Sequence, residues 1–368
     1  MRVLAIGATG FIGPWVTAEL IRQGHDVTVY HRGRNGSVPA PGREIIGDRN
    51  NLGAHVNRFR RLAPDVVIDF VLSNGKQALS LVDTFRGISR RLVALSSADV
   101  YRASGILHGT EPGPLQTVPL TEESALRTRL NPYPRELVKV LQTRMSWLGD
   151  DYDKIPVERT VMGCPDLAGT VLRLPMVYGP GDMLHRFFPI LKRIRDGRPA
   201  ILLHEKTAAW SGPRGYVENV ASAIALAATD SRAAGRIYNV AEFDVFPEME
   251  WTAKIAGAAG WRGSVIALSP DGTPQHLMPG GNYDQHWAVS SARIREELGY
   301  EEPVELDTAL ARTVDWELAN PPEEIDLKQF DYAAEDEALG DEASHLRTIT
   351  VGTLSLPSGD GAKRPAVV

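Results

Sequence analysis

Seven residues near the N-terminus, Gly7-Ala8-Thr9-Gly10-Phe11-Ile12-Gly13, restrict the fold more than any other part of the chain. They follow the apolar run Arg2–Ile6 and precede a stretch, 14–23, in which Val16, Leu20 and Ile21 recur at helical spacing, with Gly24 as its expected stop. A strand, a glycine turn and a helix in that order make a phosphate-binding unit. The first glycine permits the tight turn, the second lets the backbone approach a pyrophosphate, and the third lets helix pack on strand. The helix N-terminus then offers unpaired N–H groups to the anion. Gly7, Thr9, Gly10, Phe11, Ile12 and Gly13 are therefore expected to bind a dinucleotide.

Further β-branched runs at 26–30, 43–46, 65–72, 91–96 and 170–174 alternate with helical periodicity, which predicts βαβ units and a doubly wound parallel sheet in an α/β protein. Beyond Pro175 the pattern breaks into a helix at 187–196, a strand at Ala200–His204, a helix at 217–228 and a strand at 236–240. That interleaving predicts a Rossmann-type domain over 1–175 with segments of about 214–241 returning to it, and a smaller substrate lobe over 176–320. Residues 321–342 carry nine acidic side chains and one basic, Lys328, and glycine, serine and proline gather near the end. The segment 321–368 reads as an acidic tail with at most a short strand at 347–356.

Charge and cysteine content narrow the function. With a net charge of −6 concentrated in that segment, the chain has no general attraction for phosphate backbones or anionic lipid, so a nucleic-acid partner is not expected. The single cysteine, Cys164, excludes an internal disulfide, and no Cys/His spacing suits a metal. No apolar run approaches the ~18 residues of a membrane helix, and the N-terminal apolar stretch reads as a strand rather than a signal peptide. A cytoplasmic protein with a small-molecule substrate is expected, and a homodimer is left open.

The turn GATGFIG, then Gly47-Asp48-Arg49, Ser96-Ser97-Ala98-Asp99-Val100-Tyr101, Leu172-Arg173-Leu174-Pro175-Met176-Val177-Tyr178-Gly179-Pro180, Tyr216-Val217-Glu218-Asn219, Tyr238-Asn239-Val240 and Arg295-Glu296-Glu297-Leu298-Gly299-Tyr300 occur in the order of one family. Over about residues 1–320 the chain resembles the extended short-chain dehydrogenases/reductases of the NAD-dependent epimerase/dehydratase group. The resemblance implies a nicotinamide cofactor and hydride transfer at a carbonyl or carbinol of a sugar nucleotide or similar compound. Where NAD-preferring relatives place a ribose-binding acid, this chain has His31, followed by Arg32 and Arg34. A guanidinium bonds a 2′-phosphate that a carboxylate would repel, so NADP is expected over NAD. Asp48 and Arg49 take the family's adenosine-side positions, Phe70 and Leu72 are expected to line that pocket, and Pro175 and Met176 to flank the nicotinamide.

Family chemistry uses a serine, a tyrosine and a lysine: the tyrosine moves the proton, the lysine holds the ribose and lowers the phenol pKa, and the serine bonds the reacting oxygen. Ser97 matches the serine. The usual Tyr-x-x-x-Lys is absent. In Asp150-Asp151-Tyr152-Asp153-Lys154, the spacing from Lys154 to Glu158 matches the family's lysine and later glutamate, and Asp150 falls at the tyrosine position. Tyr152 lies only two residues before Lys154, and on a regular helix the two would point about 200° apart. If the helix starts near Asp153 instead, Tyr152 sits in a turn and reaches the site. Tyr133 and Asp150 are the other candidates for the proton carrier. Tyr178, His185, Arg186 and Arg214 are the substrate-side candidates, with Arg214 two residues nearer the Tyr-Val-Glu landmark than the usual diphosphate-binding arginine. The broken motif also leaves open a second reading, a cofactor-binding regulator or RNA-associated protein without hydride chemistry.

Overall fold

In a computed structural model, which describes residues 1–34, 38–145 and 147–352, the predicted strands lie side by side. Strands β1 (Arg2–Ile6), β2 (Asp26–His31), β3 (Arg43–Ile46), β4 (Val66–Asp69), β5 (Arg91–Ser97) and β6 (Ala168–Leu174) form one parallel sheet, joined late in the chain by β10 (Arg236–Asn239). Two smaller sheets sit beyond it. Strands β7 (Met176–Tyr178) and β9 (Arg214–Tyr216) pair with each other, and β8 (Ala200–His204), β11 (Ser264–Leu268) and β12 (His345–Thr350) form a three-stranded sheet.

The large sheet runs β10-β6-β5-β4-β1-β2-β3. The chain winds outward from β1 to β3 and then crosses back to β4, so the order reverses between β1 and β4. In such sheets ligands bind in the crevice beyond the carboxyl ends at that reversal. The register brings Ile6 level with both Tyr30 and Asp69, so three strand ends open onto the crevice together.

Side-chain alternation explains why both faces are covered. Val3 and Ala5 point to one face, where they pack with Val16 and Leu20 of the Gly13–Arg22 helix and with the alanine-rich Val217–Thr229 helix. Leu4 and Ile6 point to the other, against Leu81 of the Gly75–Phe85 helix and Val157 and Val161 of the Lys154–Met162 helix. Strands buried on both faces read as continuous apolar runs, which makes them legible in the sequence. The run 65–72 gives a shorter strand than predicted. At its end the Asp69 carboxylate accepts from the Val71 N–H at 3.0 Å and turns the chain.

The acidic segment is not a tail as far as residue 352. β12 pairs antiparallel with β11, from Ser264 opposite Thr350 to Leu268 opposite His345, and Val351 is buried. Glu335, on the Tyr332–Gly340 helix, is fully buried because Arg193 meets its carboxylate at 2.6 Å and His276 at 3.0 Å. A partner distant in sequence thus converts an acidic stretch into a packed one. The predicted strand at 347–356 starts two residues earlier, and its last four residues, like the rest of 353–368, lie outside the described residues.

Candidate active site

The glycine turn has the geometry its spacing implied. Gly7 has φ +74°, and a Cβ there would stand 2.7 Å from Val71 Cγ2. A Cβ on Gly13 would stand 2.4 Å from the Ala8 backbone, so helix and turn touch there. At Gly10 nothing lies within 4 Å of where a Cβ would be, which leaves room for a pyrophosphate. The Gly13–Arg22 helix begins at Ile12 with no side-chain cap, leaving its first N–H groups for a ligand. Uncapped donors above an open glycine fit a dinucleotide.

A cavity of about 600 Å³ runs from this turn across the carboxyl ends of the sheet. Gly7, Thr9, Gly10, Phe11, Ile12 and Gly13 line it, as do Asp48, Arg49 and Phe70. The Asp48 carboxylate accepts from Asn50 N–H at 2.9 Å and caps the adjoining short turn. Arg49 is buried, bound to Asp69 at 2.8 Å and to the Gln77 carbonyl at 2.8 Å, and so braces the floor. His31 is buried with Nδ1 accepting from Gly33 N–H at 3.2 Å. Arg32 and Arg34 line the rim, exposed, and make no ion pair among the described residues. Leu72 departs from expectation. Its side chain is in the core beneath the sheet, and only its carbonyl serves the site, as an acceptor for Lys154.

The irregular start of one helix brings the chemistry together. The Lys154–Met162 helix is capped by Asp153, whose carboxylate accepts from Ile155 N–H at 2.9 Å and pairs with Arg127 at 3.2 Å. The cap is therefore Asp153. Tyr152 precedes the helix, so the helical 200° rule does not apply, and Tyr152, Lys154 and Ser97 all line the cavity. Pro175 and Met176 line it beside them. Lys154 Nζ donates to the carbonyls of Leu95, at 2.9 Å, and Leu72, and lies 5.6 Å from the Tyr152 ring centroid. Burial pushes its pKa down to about 8, against the pull of Asp99, Asp69 and Glu158. Asp150 is exposed, binds Gln142 at 2.9 Å and stays outside the cavity.

One residue in the site is not singled out by the sequence. Asp99, fully buried, accepts on a single oxygen, Oδ2, from the Tyr152 hydroxyl at 2.8 Å and the Tyr133 hydroxyl at 3.0 Å. The two phenol rings stack at 6.2 Å with 16° between planes. Burial raises the Asp99 pKa, and burial and the Asp99 charge hold Tyr152 well above the usual phenol range. The Ser97 hydroxyl beside the phenol opposes that rise. The signal that could have found it is an acid two residues past a buried strand end, where only small and apolar neighbours stand.

Three substrate-side candidates are placed elsewhere. Tyr178 is buried against Phe187 and Trp251, with its hydroxyl donated to Glu242 at 2.6 Å. His185 stacks on Trp316 and binds Glu317. Arg214 pairs with Glu248 and lies 4.7 Å over the Trp251 ring. None of the three lines the cavity; in each case a partner from the second lobe holds the polar end. Arg186 does line it, with its guanidinium 2.7 Å from Asp182.

Residues 3–241 match the model of the NAD dependent epimerase/dehydratase family. The chain belongs to that family. Membership makes it an enzyme of the extended short-chain dehydrogenase/reductase type working with a nicotinamide cofactor. A curated relative, the 3-diazoavenalumate denitrifying reductase of a Streptomyces species, is 27% identical over 289 residues, covering 73% of this chain and 86% of that protein. Among solved structures, the UDP-glucose 4-epimerase of Bifidobacterium longum with NAD+ and UDP superposes with a TM-score of 0.60 at 17% identity, covering 87% of this chain and 99% of that one. The dTDP-glucose 4,6-dehydratase of Bacillus anthracis with NAD does so with a TM-score of 0.60 at 16% identity, covering 87% and 97%. Among the described residues no cluster could hold a metal ion, and no helix is long and apolar enough to cross a membrane.

Proposed function

We propose that this family member is an NADPH-dependent reductase of a small carbonyl compound, with Tyr152 as proton donor. The observation that carries the reading is the convergence of Ser97, Tyr152 and Lys154 on the cavity that the glycine turn opens. When bound, the nicotinamide supplies hydride to the carbonyl carbon. The protein's own residues do the rest. The Ser97 hydroxyl orients the carbonyl oxygen. Tyr152, held as a neutral phenol, turns its O–H from Asp99 to that oxygen and protonates it as the C–H bond forms, giving the alcohol. Asp99, whose Oδ2 accepts from the Tyr152 and Tyr133 hydroxyls, holds the Tyr152 O–H in place between turnovers. Lys154, cationic below about pH 8, stabilises the transient negative charge and offers its ammonium to the ribose.

A phenol that rests protonated is in the proton-donor form that reduction of a carbonyl needs. The reductase activity named for the Streptomyces relative supports the same direction. Arg32 and Arg34, exposed and unpaired among the described residues, support NADPH through its 2′-phosphate. The assembled catalytic group favours an enzyme over a cofactor-binding regulator.

Two measurements test this. Arg32→Ala is expected to reduce the preference for NADPH over NADH in a fluorescence titration; equal affinities in the unmodified protein would remove the argument. Tyr152→Phe is expected to slow consumption of NADPH at least about 100-fold with cofactor affinity nearly unchanged. Full activity of that variant would transfer the proton to Tyr133 or to water.

A further inference from the structure

Beside Tyr152 the cavity has a large apolar lining. The Arg135–Arg144 helix has no fully buried residue, yet Leu137 and Leu141 on its inner side face the cavity, and Met145 and Leu148 continue that surface. Aromatic rings line the cavity with them, and several of their polar atoms are already bonded. Trp287 Nε1 donates to the Ala98 carbonyl at 3.0 Å, and His108 Nδ1 bonds the Ser104 carbonyl at 2.8 Å. Both Tyr133 and Tyr152 donate their hydroxyls to Asp99. Apart from His108 Nε2, which has no partner among the described residues, and the Tyr152 hydroxyl, these side chains leave ring face and aliphatic surface for a ligand.

The charges agree with that chemistry. A nucleoside diphosphate carries two or more negative charges, but Arg214 is paired with Glu248 and Arg193 with Glu335. In this part of the cavity Arg186 is matched by Asp182, and Arg144 alone has no ion-pair or hydrogen-bond partner among the described residues. One uncompensated cation at the rim suits one carboxylate.

We infer, resting on the reductase reading above, that the substrate is a flat aromatic carbonyl compound bearing a single carboxylate, not a sugar nucleotide. Its ring slides between the inner side of the Arg135–Arg144 helix and the Tyr152–Trp287 wall. Its carbonyl reaches Ser97 and Tyr152, and its carboxylate points to Arg144. The ligand supplies the apolar contact that the helix otherwise lacks.

Calorimetry on the NADP+-saturated full-length protein tests this, with para-acetylbenzoate, acetophenone and UDP-glucose as probes. The oxidised cofactor prevents turnover of the ketones. The aryl carboxylate is expected to bind at least about tenfold more tightly than UDP-glucose, and a few-fold more tightly than acetophenone. Leu141→Asp should weaken both ketones about tenfold without altering NADP+ affinity. Arg144→Ala should abolish the gap between the two ketones and leave acetophenone unchanged. Tighter binding of UDP-glucose, or no binding of para-acetylbenzoate to cofactor-saturated protein, overturns the inference while the reductase reading stands. A gap unaffected by Arg144→Ala overturns the carboxylate assignment. Failure of NADP+ to bind at all would sink the reductase reading, and this inference with it.

Discussion

Replacing Lys154 with methionine separates function from stability. The ammonium is buried, and its pKa falls from the usual 10.5 to about 8. Below about pH 8 both folded and unfolded chains carry the proton, and the folded state bears the full cost of burying the charge. That cost is the pKa difference times ~1.36 kcal/mol per unit, or about 3 kcal/mol. Between about pH 8 and 10.5 the unfolded chain keeps the proton while the native one releases it, so this group's contribution to stability rises with pH. Above 10.5 the penalty is gone. Lys154→Met removes the penalty at every pH but forfeits the bonds to the Leu72 and Leu95 carbonyls, at about 1–1.5 kcal/mol each. The two effects nearly cancel at neutral pH. The variant is therefore expected to be as stable as the unmodified protein, within about 1 kcal/mol, at pH 7. It should become about 2–3 kcal/mol less stable in relative terms by pH 10.5. Cofactor affinity and turnover should both drop at pH 7. Urea unfolding of both proteins across that range, alongside cofactor titration, measures each part. A stability difference that does not change with pH would refute the claim that burying this cation costs the fold stability.

Asp99→Asn should slow turnover about 100-fold while leaving NADPH affinity intact, since Asp99 touches the two phenols and not the glycine turn. Unchanged turnover would mean that Asp99 does not hold the proton donor in place. Glu335→Ala leaves Arg193 buried without its carboxylate and is expected to cost about 3–5 kcal/mol, read as a lower thermal midpoint. An unshifted midpoint would mean that the acidic segment contributes nothing to the fold.

The nucleotide-binding half can be read from the chain because its signals are local. A strand buried on both faces is a continuous apolar run, and the glycine turn states its geometry in seven residues. Ala200–His204 is legible to its ends for the same reason. The sequence misleads where a side chain is defined by a distant partner. Glu335 looks like solvent-facing charge until Arg193 is brought beside it, and Arg214 looks like an anion clamp until Glu248 closes on it. The Tyr152–Lys154 pair lies between these cases. Its spacing contradicts a helix, and only the cap at Asp153 turns that contradiction into a workable geometry. Asp99 is hidden because a buried carboxylate acquires its meaning from Tyr133 and Tyr152, which arrive from later in the chain.

The antiparallel seat of β12 also sets an order of events during synthesis. The large sheet is complete once β10 emerges, so the nucleotide-binding half can close while the ribosome is still translating the remaining third of the chain. The smaller sheet cannot, because its edge at β11 waits for His345–Thr350, among the last described residues to appear. Until then β11 presents an unpaired backbone to solvent, the kind of edge that recruits neighbouring chains. A premature stop between β11 and β12 would thus yield a protein competent to hold a nucleotide and prone to aggregate, the second property traced to one late-arriving strand.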